Sequence, residues 1–418
     1  MKNTKVVKIV IALMLVFCTL FSMTSCLVFD LEGFYQDLME NQDGQGGEGD
    51  GNEENPGDST LPGGNPDGKP NEFYPGTGNG NTDNVPALQQ TLLSTVSIIS
   101  NFSSSPAAGS GVIYSIDKAK GDAYIITNYH VVYSKGSGVC KNITVYLFGM
   151  ELEGYAIPAT FVGGSNNYDI AVLKISGSDV IKNSYAKAIN LGDSDSVHIF
   201  DNVYAVGNPE GFGIAATNGM ISVVSEELQL EGANGKEISL RVMRIDAAVN
   251  GGNSGGGLYD EQGKLIGIVC AKRIGDDIDN IGYAIPSNLV KNLVDNIIYH
   301  CNGTTVTQLN RALMGITITA KITGIVIDPE TGDITEAEIV EVTEVSAGSL
   351  AEGKVQVGDV INSITVDGKV MNVSRLHHVT DHMLNARVGS TVTLNITRGG
   401  ENMNITFTIA QGNISLVD

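Results

Sequence analysis

Asp246-Ala-Ala-Val-Asn-Gly-Gly-Asn-Ser-Gly-Gly-Gly-Leu258 sets one hydroxyl, that of Ser254, among five glycines. Glycines lack a Cβ and allow a tight turn. Successive backbone N–H groups in such a turn can converge on the oxyanion that develops during acyl transfer. Gly252 and Ser254 are the candidate donors, with Asn253 between them completing the hole. A serine hydroxyl is a poor nucleophile until an imidazole takes its proton, and the imidazole needs a carboxylate to fix its tautomer. Both types lie upstream. His130 follows the apolar run Ala123-Tyr-Ile-Ile-Thr127, and Asp169 directly precedes Ile170-Ala-Val-Leu-Lys-Ile175. Taken singly, each residue has an ordinary explanation: a strand-end histidine, a turn carboxylate, a glycine-rich loop. The order His, Asp, Ser on runs of this type favours the catalytic explanation of all three.

From about Pro86 to Ile285 short β-rich runs, such as Gly111-Val-Ile-Tyr-Ser115 and Ile143-Thr-Val-Tyr-Leu147, alternate with Gly, Asn and Asp. That pattern predicts a β-barrel or sandwich. Thr127-Asn-Tyr-His-Val-Val132, Tyr168-Asp-Ile-Ala-Val-Leu-Lys-Ile175 and the serine segment closely resemble the HtrA/Deg serine proteases. So do Gly109-Ser-Gly-Val-Ile113, Leu191-Gly-Asp-Ser-Asp195, Ala205-Val-Gly-Asn-Pro209 and Gly282-Tyr-Ala-Ile-Pro-Ser-Asn288. The resemblance covers about residues 90 to 415. It implies a mostly β chain with a chymotrypsin-like double β-barrel over residues 87–300, in which His130 is the general base, Asp169 its orienter and Ser254 the nucleophile. It also suggests a homotrimer, and it calls for no cofactor and no metal, because side chains and backbone donors fill every role.

Three positions depart from the family pattern: Gly251 where Pro is common, Gly257 where Pro or Ala is frequent, and Tyr129 where Asn is usual. The extra glycines cost about 0.5–1 kcal/mol each in ordering, so the sequence predicts a serine loop that is partly disordered at rest. Ala248 stands six residues before Ser254, where trypsin-type enzymes carry an acid. This predicts cleavage after Val, Ala or Leu rather than Lys or Arg, with the acidic loop Asp276-Asp277-Ile278-Asp279 influencing neighbouring subsites.

Past an amphipathic helix over Leu289–Ile298, residues 309–415 resemble a PDZ domain, on the strength of Ser346-Ala-Gly-Ser-Leu-Ala351, Gly358-Asp-Val-Ile361 and Thr391-Val-Thr-Leu-Asn-Ile-Thr-Arg398. The resemblance makes Leu313, Met314, Gly315 and Ile316 the loop that captures a peptide carboxylate. A hydrophobic strand start packing its own core is the alternative. A hairpin insertion turns at Pro329 to Gly332. His378 and His382 are spaced i, i+4, but neither they nor His377 have a third acidic or sulfur ligand close in sequence. The expectation is a solvated helix face. Cys140, Cys270 and Cys301 are odd in number and are expected to be buried or unpaired thiols.

At the other end, Lys2, Lys5 and Lys8 precede the apolar run Ile9–Phe17, which makes residues 1–25 an export signal. Met23-Thr24-Ser25-Cys26 resembles a bacterial lipobox, with Cys26 as the lipidated residue. An uncleaved anchor and simple secretion are the alternatives, and all three place the folded part outside the cytoplasm. Residues 26–86 form a disordered acidic tether rich in Gly and Asn. Lys and Arg total 25 against 47 Asp and Glu, a net charge of −22 that argues against a nucleic-acid partner. The expected function is a membrane-anchored extracytoplasmic serine endopeptidase acting on unfolded or damaged exported polypeptides, with peptides recognised by the PDZ domain. The rivals are a stress-sensing protease that cuts one signalling protein and an inactive peptide-binding scaffold.

Overall fold

The computed structural model describes residues 85–417 apart from 104, 152, 271–280, 302–304, 328, 330, 331 and 333. The signal, Cys26, nearly all of the tether and the acidic loop at Asp276–Asp279 lie outside the described residues.

A short helix, α1 (Ala87–Ser94), leads into strands β1 (Thr95–Asn101), β2 (Pro106–Asp117), β3 (Asp122–Thr127), β4 (Ile143–Leu147), β5 (Ile157–Ser165) and β6 (Ile170–Ile175). All pairings are antiparallel, and the order β1-β2-β3-β6-β5-β4 closes on itself as a barrel. Closure removes the exposed edges that short strands would otherwise present. Ile98, Ile113, Ile125 and Leu173 fill its interior and are fully buried. β-Branched residues suit this half-buried, pleated surface.

The second barrel comprises β7 (Asn190–Leu191), β8 (Asn202–Gly207), β9 (Ala215–Glu231), β10 (Glu237–Ile245), β11 (Gly257–Tyr259), β12 (Lys264–Val269) and β13 (Gly282–Pro286). Their order is β11-β8-β9-β10-β13-β12-β7, and the additional β11–β12 pairing closes the sheet. The expectation of a mostly β fold with a barrel-built protease region is thus met. Helix α3 (Ser287–His300) buries Leu289, Leu293, Val294 and Ile297 in one cluster with residues of both barrels, such as Val172 and Ile268. This is the amphipathic helix expected over Leu289–Ile298, extended by two residues at each end.

Beyond it, β14 (Leu309–Ala312) pairs with the final strand β21 (Ile414–Val417). A separate sheet contains β15 (Ile316–Ile327), β16 (Ile334–Val345), β17 (Val360–Val366), β18 (Lys369–Asn372), β19 (Thr391–Arg398) and β20 (Glu401–Thr408) in the order β15-β16-β17-β19-β20, with β18 on β17. It has its own core around Val342, Ile364, Leu394 and Phe407. The helix α4 (Leu376–His382) packs on it. The long hairpin β15–β16 stays paired out to Ile327–Ile334, where the sequence placed a turn, with register shifts at Thr317/Ile318 and Ile322/Gly324. No helix among the described residues is long and apolar enough to cross a membrane.

α4 corrects one expectation. His378 and His382 are each 8% exposed rather than solvated. His382 Nε2 bonds the Lys369 carbonyl at 3.0 Å, and His378 faces a carboxylate of the protease region. Packing of α4 against β18 and against the second barrel covers a face that local sequence reads as polar.

Candidate active site

His130 sits on the single helical turn α2 (Tyr129–Val132), immediately after β3. Asp169 sits at the mouth of β6 with φ +49°, a left-handed conformation that Asp tolerates better than most residues. The two segments are laced together. The Asp169 carbonyl accepts from Tyr129 N–H at 3.1 Å and from Asn128 Nδ2 at 2.9 Å, while its Oδ1 accepts from the His130 N–H at 3.0 Å. The carboxylate therefore faces the imidazole, with His130 Nδ1 at 3.0 Å from Oδ1 and 2.8 Å from Oδ2. Asp169 is 1% exposed, which shields this contact from water. A proton held on Nδ1 by the carboxylate leaves the Nε2 lone pair free to act as a base.

The Ser254 turn comes from the second barrel and rests against the same strand end. The Ser254 carbonyl accepts from Ser110 N–H at 2.8 Å, and Ser110 Oγ donates to the Gly252 carbonyl at 2.7 Å. Gly255 N–H bonds Val269 O at 2.9 Å, and Gly256 N–H bonds Asn253 O at 2.9 Å. These bonds tie the loop to β2 and to the end of β12. The glycines answer a steric demand: Gly252 has φ +90°, and a Cβ there would meet the Asn208 carbonyl oxygen. At Gly257 a Cβ would meet the ring of the fully buried Tyr259, so Pro or Ala has no room. Tyr129, whose role sequence left open, stacks on Tyr133 at 5.0 Å and lies edge-on to Phe161 at 6.2 Å, as part of the first barrel's core.

Of the three oxyanion-hole candidates, Asn253 uses its N–H on the Asn250 carbonyl at 3.1 Å. The Gly252 N–H donates in no backbone–backbone bond among the described residues outside helices and strands. Gly252→Ala is expected to lower kcat by about 10²–10³-fold, the loss typical of removing one oxyanion donor, because the backbone must leave its left-handed conformation. Steady-state kinetics on a short peptide substrate checks this.

One residue with a bearing on the site was not singled out for it by sequence. Cys270 follows β12, is 2% exposed and donates its S–H to Asp169 Oδ2 at 3.3 Å. Its position directly after the apolar run Leu265–Val269 signalled burial, but no local pattern signals a partner 101 residues away. Cys140 and Cys270 are buried, as expected, and Cys301 is half-buried.

In the C-terminal sheet Gly315 has φ +81° and lies against Ser349, whose hydroxyl donates to the Gly315 carbonyl at 3.4 Å. Met314 is buried, Leu313 is exposed, and Ile316 opens β15, which is the edge strand of its sheet. The four loop residues are contiguous at that edge and distant in sequence from the serine turn.

Residues 109–268 match the family model of a trypsin-like peptidase domain. The chain is 33% identical over 310 residues to the serine protease Do-like HtrA of Bacillus subtilis (strain 168), spanning 71% of this chain and 62% of the relative. It is 31% identical over 314 residues to the periplasmic serine endoprotease DegP of Escherichia coli (strain K12), spanning 75% and 59%. The matches thus span about three fifths of the length of these curated relatives. Among solved structures, an HtrA-type protease AlgW with tripeptide superposes with a TM-score of 0.51 at 29% identity, covering 78% of this chain and 95% of that one. Two closed barrels holding a buried carboxylate against the imidazole, together with relatives of this kind, identify the region as a trypsin-like serine protease domain of the HtrA/DegP family.

Proposed function

We propose that the chain is an extracytoplasmic serine endopeptidase that cleaves unfolded or damaged exported polypeptides, using His130, Asp169 and Ser254 as its catalytic residues. The observation that carries the proposal is the buried carboxylate of Asp169 fixed 2.8 Å from His130 Nδ1, which sets the tautomer a general base requires. In this scheme Ser254 Oγ attacks the scissile carbonyl while His130 Nε2 takes its proton. The Gly252 and Ser254 N–H groups stabilise the oxyanion, and His130 returns the proton to the leaving amine. Each step uses only groups of this chain and the peptide.

Residues 309–415 act as a PDZ domain in this proposal. A peptide would add to the exposed edge of β15, with its terminal carboxylate at Leu313–Ile316. Cys26 carries the lipid that anchors the protein to the membrane, the tether of residues 26–86 sets its reach, and the working form is a homotrimer. Peptides with a free carboxylate should bind more tightly than their amidated forms, measured by fluorescence anisotropy; equal affinities would remove the carboxylate-capture role of Gly315.

Cleavage preference follows from Ala248, whose carbonyl accepts from Thr217 Oγ1 at 2.8 Å. With no acid at this position, cuts after Val, Ala or Leu should predominate when the products of an unfolded protein are mapped by mass spectrometry. A majority of cuts after Lys or Arg would refute this. Digestion of several unrelated unfolded proteins supports broad quality control, whereas strict dependence on one activating peptide would point to a dedicated signalling protease.

A further inference from the structure

The third ligand that local sequence did not supply to the α4 histidines comes from the protease domain. Asp195 Oδ1 lies 3.9 Å from His377 Nε2, and Asp195 Oδ2 lies 3.7 Å from His378 Nε2. One ligand atom from each of the three falls within 4.8 Å of the others. The two imidazole rings are nearly perpendicular, with centroids 4.7 Å apart, and both turn Nε2 toward one carboxylate. We propose that Asp195, His377 and His378 bind a zinc-class divalent cation that ties the protease domain to the C-terminal domain.

The geometry and the donor types both fit. A tetrahedral ion with ligands at about 2.0–2.1 Å needs them roughly 3.3 Å apart, so each histidine Nε2 must close on its carboxylate oxygen by about half an ångström, within a cluster whose ligand atoms lie inside 4.8 Å of one another. Two imidazoles and one carboxylate favour Zn²⁺ and its neighbours over Mg²⁺ or Ca²⁺, which prefer all-oxygen sets. A water would take the fourth position. Partners outside the ligand set orient it. Asn288 Nδ2 donates to Oδ1 of Asp193, two residues before Asp195, at 2.7 Å. The Ser374 N–H also reaches His378 Nδ1, at 3.3 Å. Metal binding needs the proton on Nδ1 and the lone pair on Nε2, so this long contact would be given up. Burial pushes the Asp195 carboxyl up, but its bonds to His377 and Asn288 and the nearby charge of both histidines outweigh that and hold it down at about 2.

Both sides of the site are already anchored. Ser194, next to Asp195, accepts from the Asn288 N–H of α3 at 3.1 Å. On α4, Asp381 pairs with Arg241 of β10, and its carbonyl accepts from Asn292 Nδ2 of α3 at 3.1 Å. An ion added here would lock an interface that is packed before it binds.

The experiment titrates Zn²⁺ into the full chain, stripped with chelator and carrying Ser254→Ala to prevent self-digestion, by isothermal calorimetry. One equivalent should bind. His377→Ala with His378→Ala should weaken that equivalent by at least about 100-fold, and Asp195→Asn, on the other domain, by at least about tenfold. The Co²⁺-loaded protein should show visible bands of a tetrahedral site without a thiolate charge-transfer band. His130, Asp169 and Cys270 also cluster within 4.8 Å, and a thiolate band abolished by Cys270→Ser would place the ion there and overturn the proposal. Absence of binding, or unchanged affinity in both variants, would overturn it as well. If the double histidine variant loses its circular dichroism signature, Asp195→Asn decides alone. None of these outcomes bears on the proteolytic proposal, because the readout is binding in a chain that lacks the nucleophile.

Discussion

Ser254→Ala should lower kcat for hydrolysis of an unfolded protein by roughly 10⁶-fold, to the residual rate that binding and the oxyanion hole alone support. The substitution removes one oxygen from a turn held by other contacts, namely Ser110 N–H to the Ser254 carbonyl, Gly255 N–H to Val269 and Gly256 N–H to Asn253. The fold should therefore persist, with circular dichroism and thermal midpoint close to those of the parent. His130→Ala should match this loss, and the double variant should be no slower than either alone, since residues acting as one unit show non-additive effects. Retention of more than a few per cent of the parent rate by Ser254→Ala would end the assignment of Ser254 as nucleophile.

Asp169→Asn should reduce kcat by about 10⁴-fold, the second largest effect expected. The carboxylate oxygens accept from the His130 backbone N–H, from His130 Nδ1 and from Cys270 Sγ, and each of these three partners is a donor. An amide must turn its NH₂ toward one of these donors. If it faces Nδ1, the ring shifts its proton to Nε2, where it can no longer accept one from Ser254. KM should change little, because Asp169 is buried and touches no substrate. Steady-state kinetics over a range of substrate concentration measures the split, and a loss of less than tenfold in kcat would show that His130 is oriented by something else. Cys270→Ser keeps a donor at this position and should leave the rate within about tenfold of the parent, since a hydroxyl can replace the weaker S–H donor.

The catalytic candidates were legible in sequence for a specific reason. His130 and Asp169 lie beside apolar strand runs, and the glycines around Ser254 are forced by local geometry: a positive φ at Gly252 and a ring in the way at Gly257. Such constraints act within a few residues and leave a mark on the chain. What restrains the loop is not legible in the same glycines. Glycines signal backbone freedom, whereas the bonds that restrain it come from Ser110 and Val269, more than a dozen residues away in each case.

By itself, then, the sequence determined the mostly β architecture, the helix that follows the second barrel, and the identity of the residues suited to acyl transfer, because strand periodicity, turn chemistry and apolar spacing are local properties. Only the tertiary structure decided what those residues face. It brought the Cys270 thiol to Asp169, buried His378 and His382 that sequence left in solvent, and set Asp195 opposite a histidine pair nearly two hundred residues further along. These contacts join segments with no shared periodicity, and burial on one face of a short helix such as α4 depends on which surface it packs against, which no local pattern encodes.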